Sequence, residues 1–309
     1  MTKFDVIGFG ALNVDMLLKV DKIAGAEEES FIYDYSEACG GSAANTIVGL
    51  ARLGCDVGFI GKVANDHQGD LQIKCFRAEG VNTDGIIIAP KGKSGACVGF
   101  VDKKGARALY IDPGVNASIE PRELQWNYVS QTQFLHLSSF IGDKSFRTQK
   151  KLLSSLPSGV KVSFDPGSVY AQKGFAAIEP LIRSSYVMMP NALELELITG
   201  QTEYPKGAAM LIDMGVKIVA VKLGSKGCYI TDGQEKKTLP PFKVQVVDTT
   251  GAGDAFNAGF LYGLLHERTL IECGRLGNFV ASRCVMKMGA REGLPSKKEI
   301  TTVLASTGI

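Results

Sequence analysis

The chain of 309 residues carries 34 lysines and arginines against 32 aspartates and glutamates, a net charge of +2. With 45% hydrophobic and 21% charged residues it has the balance of a globular protein and not of a disordered one. No dense Lys/Arg run marks a nucleic-acid partner, and no apolar run reaches the roughly 18 residues of a membrane span.

The first residues, Met1 to Val6, pass straight into a strand-like run with no charged and then apolar leader, so no signal peptide is expected. The seven cysteines (39, 55, 75, 97, 228, 273, 284) are odd in number and form no C-x-x-C pair. That usage fits reduced thiols and a cytoplasmic protein. The three histidines (67, 136, 266) lie far apart, which argues against a histidine-based zinc site.

In chain order, Leu12 to Val20 alternates apolar and polar residues with period two, the pattern of a half-buried strand. Asn13 and Asp15 fall on one face of it, opposite the apolar set, where they could grip a polyol or simply meet water. Phe31 to Ser36 is a second short strand. Gly40-Gly41-Ser42-Ala43-Ala44-Asn45 follows, with Ser42 as the expected N-cap of a helix over 43–53 and Gly54 at its end. Its small residues allow close backbone approach to a ligand, and Asn45 offers donors and an acceptor. A strand at 57–60 and a helix over 66–79 come next. Segments 95–102 and 106–112 flank Lys103-Lys104-Gly105 as a hairpin. The segments within 12–38 and 95–112 fit poorly into a parallel core and are expected to form a small antiparallel β lid.

Further strands are expected at 134–137, 160–164, 186–189 and 218–221, alternating with helical patterns, so the main body reads as a parallel sheet covered on both faces. Pro190-Asn191-Ala192-Leu193-Glu194 starts a helix, with Asn191 and Glu194 on one face; a capping box explains the pair as well as a ligand would. Val221 to Gly227 is a strand running into a glycine turn. The strongest pattern is Asp248-Thr249-Thr250-Gly251-Ala252-Gly253-Asp254, read as a strand ending at Val247, a small-residue turn and a helix to about His266. The backbone N–H groups of Gly251, Ala252 and Gly253 would open that helix as an anion site, with the Asp254 carboxylate beside them.

Two other glycine runs fail in context. Gly8-Phe9-Gly10 precedes a strand rather than a helix, against a dinucleotide fingerprint and the dehydrogenase it would imply. Gly92-Lys93-Ser94 lacks the upstream glycine of a P-loop.

Taken together and in order, these motifs resemble the ribokinase family, the PfkB carbohydrate kinases, over nearly the whole chain. The resemblance implies a single ribokinase-like domain over 1–309, a three-layer α/β sandwich with a mostly parallel sheet and a small lid. It implies ATP-dependent phosphorylation of a primary hydroxyl of a sugar or nucleoside. Asp254 would be the catalytic base and Gly251, Ala252 and Gly253 the anion hole. Asn13, Asp15, Gly40, Gly41, Ser42 and Asn45 would line the acceptor site. Asn191, Lys222, Gly224 and Gly227 would sit near the nucleotide and Asn278 near its adenine, with Asn191 and Glu194 also holding Mg²⁺ through water.

The family's monovalent-cation site would fall on Asp248 and Thr250, near Met288-Gly289-Ala290, and would take K⁺. In several members the lid pairs in a homodimer. Ribokinases proper carry Lys where Ser42 stands, so the acceptor expectation widens from ribose to the ribose of a nucleoside. Alternatives within the family are a 2-keto-3-deoxygluconate-type kinase and a phosphosugar kinase. The second needs cations near the acceptor, for which the lid offers Arg107 and a few lysines. Outside catalysis, the alternative is a ligand-binding member of the fold.

Overall fold

Runs of alternating apolar residues buried on two faces build the centre of the molecule. Ile218 and Ala220 enter the core on one side of the sheet, Val219 and Val221 the core on the other. A computed structural model describes residues 3–104 and 106–307; of residues 107 and 305–307 the backbone alone is described. Gly105, expected in the hairpin turn, and the Arg107 side chain thus lie outside the described residues.

The main sheet has nine strands. In spatial order they are β13 (Lys236–Leu239), β12 (Cys228–Thr231), β11 (Ile218–Lys222), β10 (Val187–Met188), β9 (Lys161–Phe164), β8 (Thr132–Leu137), β1 (Phe4–Phe9), β4 (Val57–Ala64) and β5 (Ile86–Ala89). Pairings from β11 to β5 are parallel, and β12 and β13 close one edge antiparallel. β1 lies between β8 and β4, so the strand order reverses there. The crevice beyond the carboxyl ends of such a switch point is where open α/β sheets bind ligands.

The second sheet runs β3 (Ile32–Gly40), β2 (Asn13–Val20), β6 (Gly95–Asp102), β7 (Arg107–Asp112). These are the lid segments read from the sequence. The lid is not purely antiparallel, because its central pair, β2 and β6, is parallel. β2 and β6 are separated by some 75 residues, among them β3 and the main-sheet strands β4 and β5, so no short turn dictates their direction. The outer pairs, β2 with β3 and β6 with β7, are antiparallel as expected.

Two local expectations change. Gly41, not Ser42, is the N-cap of helix Ser42–Arg52, and the Ser42 hydroxyl is turned elsewhere. No strand ends at Val247: residues 240–249 run irregularly, with Val246 and Val247 exposed, because β13 already forms the sheet edge. Among the described residues no helix is long and apolar enough to cross a membrane.

Gly41 joins the lid to the body. Its φ is +108°, and a Cβ there would strike the Ala11 carbonyl oxygen. Gly41→Ala is therefore expected to lower unfolding stability by about 1–3 kcal/mol through backbone strain alone, read as a drop in denaturation midpoint at unchanged m-value.

Candidate active site

The carboxyl ends of neighbouring parallel strands bring separate motifs into one row. Asp165 follows β9, Asn191 follows β10, and Lys222 ends β11. Lys222 Nζ donates to Asp165 Oδ2 at 2.6 Å, and Asn257 Nδ2 donates to the same oxygen at 2.5 Å. Both charged side chains are largely buried, at 12% and 5% exposure. Burial opposes both charges. The Lys222 ammonium still holds the Asp165 carboxyl below its ordinary range, and Asp165 and Glu194 hold Lys222 above its own.

Helix Ala252–Leu265 starts in front of this pair. Gly251 caps it in the left-handed region at φ +74°, packed so close to Ala290 that a Cβ would not fit. The Lys222 ammonium hangs over the helix start, 3.5 Å from where a Cβ on Gly253 would stand. Backbone donors, helix dipole and lysine thus converge on one spot suited to an anion.

Asp254 is in the first turn of that helix. Its Oδ1 accepts from Ser42 Oγ at 2.6 Å and its Oδ2 from Asn45 Nδ2 at 2.9 Å. Thr46 Oγ1 donates to the Asp254 backbone carbonyl at 3.2 Å. The two glycine-rich motifs, some 210 residues apart, therefore meet on one carboxylate. Burial pushes its pKa up to about 6, against the hydrogen bonds from Ser42 and Asn45 and the Lys222 charge, which pull it down. A group poised there is largely ionised at neutral pH yet still a competent proton acceptor.

On the lid side, Asn13 and Asp15 are half-buried rather than solvated. Asn13 Oδ1 accepts from Asn116 Nδ2 at 3.0 Å. Asp15 packs on Gly40, where no Cβ would fit. Burial raises Asp15 to about 6, partly offset by the Arg291 guanidinium.

On the other side of the helix start lies a cleft of about 440 Å³, lined by Lys222, Gly224, Gly227, Thr249, Gly253 and Asn278 together with apolar side chains such as Phe242, Val246 and Val285. Its size suits a small ligand. The Asn278 amide is engaged with the Leu239 and Pro240 carbonyls at 3.3 and 3.0 Å, so it shapes the cleft wall.

Asn191 and Glu194 do form the reciprocal capping box, each side chain 2.8 Å from the other's backbone nitrogen. Burial and the nearby Asp165 charge raise the Glu194 carboxyl. Among the described residues no cluster of three or more His, Cys, Asp or Glu could hold a metal by itself. Asp248 closes its own turn. Its Oδ1 accepts from Thr250 N and Oγ1 at 3.0 and 2.8 Å, and its Oδ2 accepts from Gly289 N at 2.9 Å.

Three residues of this centre escape the sequence reading: Asp165, Asn257 and Arg291. Asp165 had a signal, an acidic residue just past a buried parallel strand. Asn257 had a weaker one, one helical turn after Asp254. Arg291 had none, since its partner Asn45 is 246 residues away.

A phosphotransferase of the ribokinase-like fold is what this body, lid and helix start define. The chain belongs to the pfkB family of carbohydrate kinases, whose model matches residues 3–297. An uncharacterized sugar kinase of Archaeoglobus fulgidus is 47% identical over 251 residues, 80% of this chain and 98% of that protein. An ATP-dependent ribose-1-phosphate kinase of Halopiger xanaduensis is 32% identical over 283 residues, covering 90% of this chain and 92% of the relative. The structure of Arabidopsis thaliana ribokinase complexed with ribose and ATP superposes with a TM-score of 0.88 at 26% identity, over 98% of this chain and 99% of the other.

The buried ion pair yields a prediction. Lys222→Met leaves the Asp165 charge with Asn257 as its remaining side-chain hydrogen-bond donor. Breaking such a pair costs about 3–5 kcal/mol, and chemical denaturation should show a loss of that size. Lys222→Met combined with Asp165→Asn should recover most of it.

Proposed function

We propose that this carbohydrate kinase transfers the γ-phosphoryl group of ATP to a primary hydroxyl of a furanose, either ribose or the ribose of a nucleoside. The carrying observation is the Asp254 carboxylate, held by Ser42 and Asn45 in the first turn of the helix whose Gly253 lines the cleft.

In this reading the triphosphate lies from the cleft toward Gly251–Gly253, with Lys222 and the backbone N–H groups stabilising charge on the transferring group. Gly224 and Gly227 let backbone approach the nucleotide, and Asn278 backs the adenine. The acceptor rests under the lid against Asn13, Asp15, Gly40, Gly41 and Asn45. Asp254 takes the hydroxyl proton as the oxygen attacks, and Ser42 and Asn45 keep the base oriented. Phosphoryl transfer asks the protein for positioning and charge stabilisation, and these groups supply both.

Bound Mg²⁺ would neutralise the phosphate oxygens. One carboxylate, Glu194, with Asn191 beside it and Asp165 close by, suits a metal that keeps most of its waters. The oxygen-rich turn of Asp248 and Thr250, tied to Gly289, suits K⁺.

The seven cysteines are free, which supports a reducing, cytoplasmic setting. The lid carries exposed Tyr33, Tyr35 and Tyr110, each at least half accessible, with Tyr35 and Tyr110 on the sheet face opposite Asp15. That apolar face supports a homodimer through the lid, which sedimentation would reveal. A phosphorylated pentose is the second reading, favoured by the 32% identical relative named for ribose 1-phosphate.

Asp254→Asn keeps shape and helix start but removes the proton acceptor. A general base contributes about 10²–10⁴-fold, so kcat should fall at least about 10²-fold while ATP affinity, by calorimetry, stays within a few-fold. An Asp254→Asn protein with most of its turnover overturns the assignment.

The pH profile follows from two carboxyls. Asp15 and Asp254 are both protonated below about 6 and ionised above it, and both are needed ionised. Log kcat/KM for the acceptor should therefore fall toward slope two on the acid side of pH 6, and toward slope one in Asp15→Asn.

For the acceptor itself, Asp15 can accept from two adjacent hydroxyls. Asp15→Ala should damage acceptor KM and spare ATP binding. Ribose or ribonucleosides should outperform 2-deoxy analogues by up to about 10⁴-fold, tested in an ATP-consumption panel that also contains ribose 1-phosphate and sugar acids. Equal rates with 2-deoxy compounds would defeat the diol argument.

A further inference from the structure

We propose that Arg291 is a positioning residue for the phosphoryl-transfer base: by donating from Nε to Asn45 Oδ1 it locks the Asn45 amide with Nδ2 facing Asp254 Oδ2. The inference rests on the reading of Asp254 as the base and adds a residue that no sequence motif carries.

The geometry is a two-step relay. Arg291 Nε stands 2.8 Å from Asn45 Oδ1, and Asn45 Nδ2 stands 2.9 Å from Asp254 Oδ2. A guanidinium has only donors and an ionised carboxylate only acceptors. One orientation of the amide satisfies both neighbours; the flipped one sets oxygen against carboxylate and NH₂ against guanidinium. Arg291 thus reinforces which end of Asn45 meets the base and holds the amide in place there.

Arg291 is itself held firmly. It is 7% exposed, lies over the Phe76 ring with 5.8 Å to the centroid, and reaches the Gly40 carbonyl from Nη2 at 3.5 Å. Its backbone carbonyl accepts from Arg52, whose guanidinium also forms the ion pair with Glu79 at 2.6 Å. The charged and titratable groups around Arg291 are Cys39 on β3, Cys75 and Glu79 at helix His67–Ala78, and Asp15 on β2. None of the ion pairs formed among the described residues includes Arg291. A buried cation without its own carboxylate is expensive, and its shortest side-chain bond goes to Asn45. Gly289, two residues upstream, donates to Asp248 at the turn before the Asp254 helix. The loop that carries Arg291 is therefore tied both to Asn45 and to the turn that leads into the Asp254 helix.

Asp254 also faces Lys222 and Asp165, which act on it directly, and Ser42, which bonds its other oxygen. Arg291 acts through Asn45. Without it the amide loses the partner that fixes Oδ1, the bond from Nδ2 to the carboxylate loosens, and the protonated form gains. The acid limb of kcat must then move to higher pH.

The test uses the full chain in Arg291→Met, Arg291→Lys and Asn45→Ala forms, alone and combined. The Asp254 carboxyl is titrated by ¹³C NMR, its resonance identified by loss in Asp254→Asn, and turnover is measured with ribose and ATP. Arg291→Met should raise the Asp254 midpoint by about one unit, the size of one lost charge-assisted hydrogen bond. It should lower kcat near pH 6.5 roughly tenfold through misorientation, with ATP KM within twofold.

In the Asn45→Ala background Arg291→Met should add nothing. Arg291→Lys, which keeps charge but not the planar fork, should shift the midpoint in the same direction, and it decides the matter if Arg291→Met does not fold. An unchanged midpoint overturns the proposal, as does a shift that persists in Asn45→Ala. So does an effect confined to the KM of the acceptor ribose, which would make Arg291 an acceptor contact. Because the titration needs no turnover, its outcome is separate from whether Asp254 proves to be the base.

Discussion

Two helix N-termini converge on the Asp254 carboxylate, and the rest of the molecule is arranged to let them. Asp254 stands in the first turn of its own helix and accepts from Ser42, the first residue of another. Each helix start favours negative charge, which opposes the burial that would neutralise the acid. The two helices can come this close because Gly49 lies against Ala258 with no room for a Cβ. A methyl group there would force the helices apart and separate Ser42 and Asn45 from the carboxylate.

The Asp165–Lys222 pair solves a related problem on the cleft side. A lone lysine at 12% exposure would tend to lose its proton, and a neutral amine would offer a phosphate little. Asp165 keeps the charge in place before any ligand arrives. Neutral His136 supports this corner from beneath: buried beside the pair, it is held down to about 4 and bonds Ser163 at 3.0 Å instead of competing for Asp165.

How much of this was legible depended on how local each signal was. The strand at 218–222, the helix start at Gly251–Asp254 and the capping box of Asn191 and Glu194 are written in a few adjacent residues, and each formed as its pattern implies. The period-two strand at Asn13–Val20 was readable too, but its partner was not. β2 pairs in parallel with β6, a contact fixed by long-range packing. Val247 looked like a strand end because Val246 and Val247 are apolar, yet both stay exposed on an irregular segment once β13 has closed the sheet edge. Ser42 has the composition of an N-cap, but its hydroxyl found a stronger, charged acceptor in Asp254, and glycine took the cap. Asp165, Asn257 and Arg291 depend on which strand ends and loops become neighbours, which periodicity does not encode.

The lid strand β3 ends at Gly40 and helix Ser42–Arg52 begins at Ser42, with the single residue Gly41 between them. No slack separates the surface that would grip an acceptor from the helix that orients the carboxylate. Selection for a new acceptor by reshaping β3 therefore perturbs Ser42 and Asn45 at the same time. Laboratory evolution of this lid would trade turnover against specificity at almost every step. Variants that escape the trade are expected to change β7, the far edge of the lid, where the chain does not lead directly into the helix of Ser42 and Asn45.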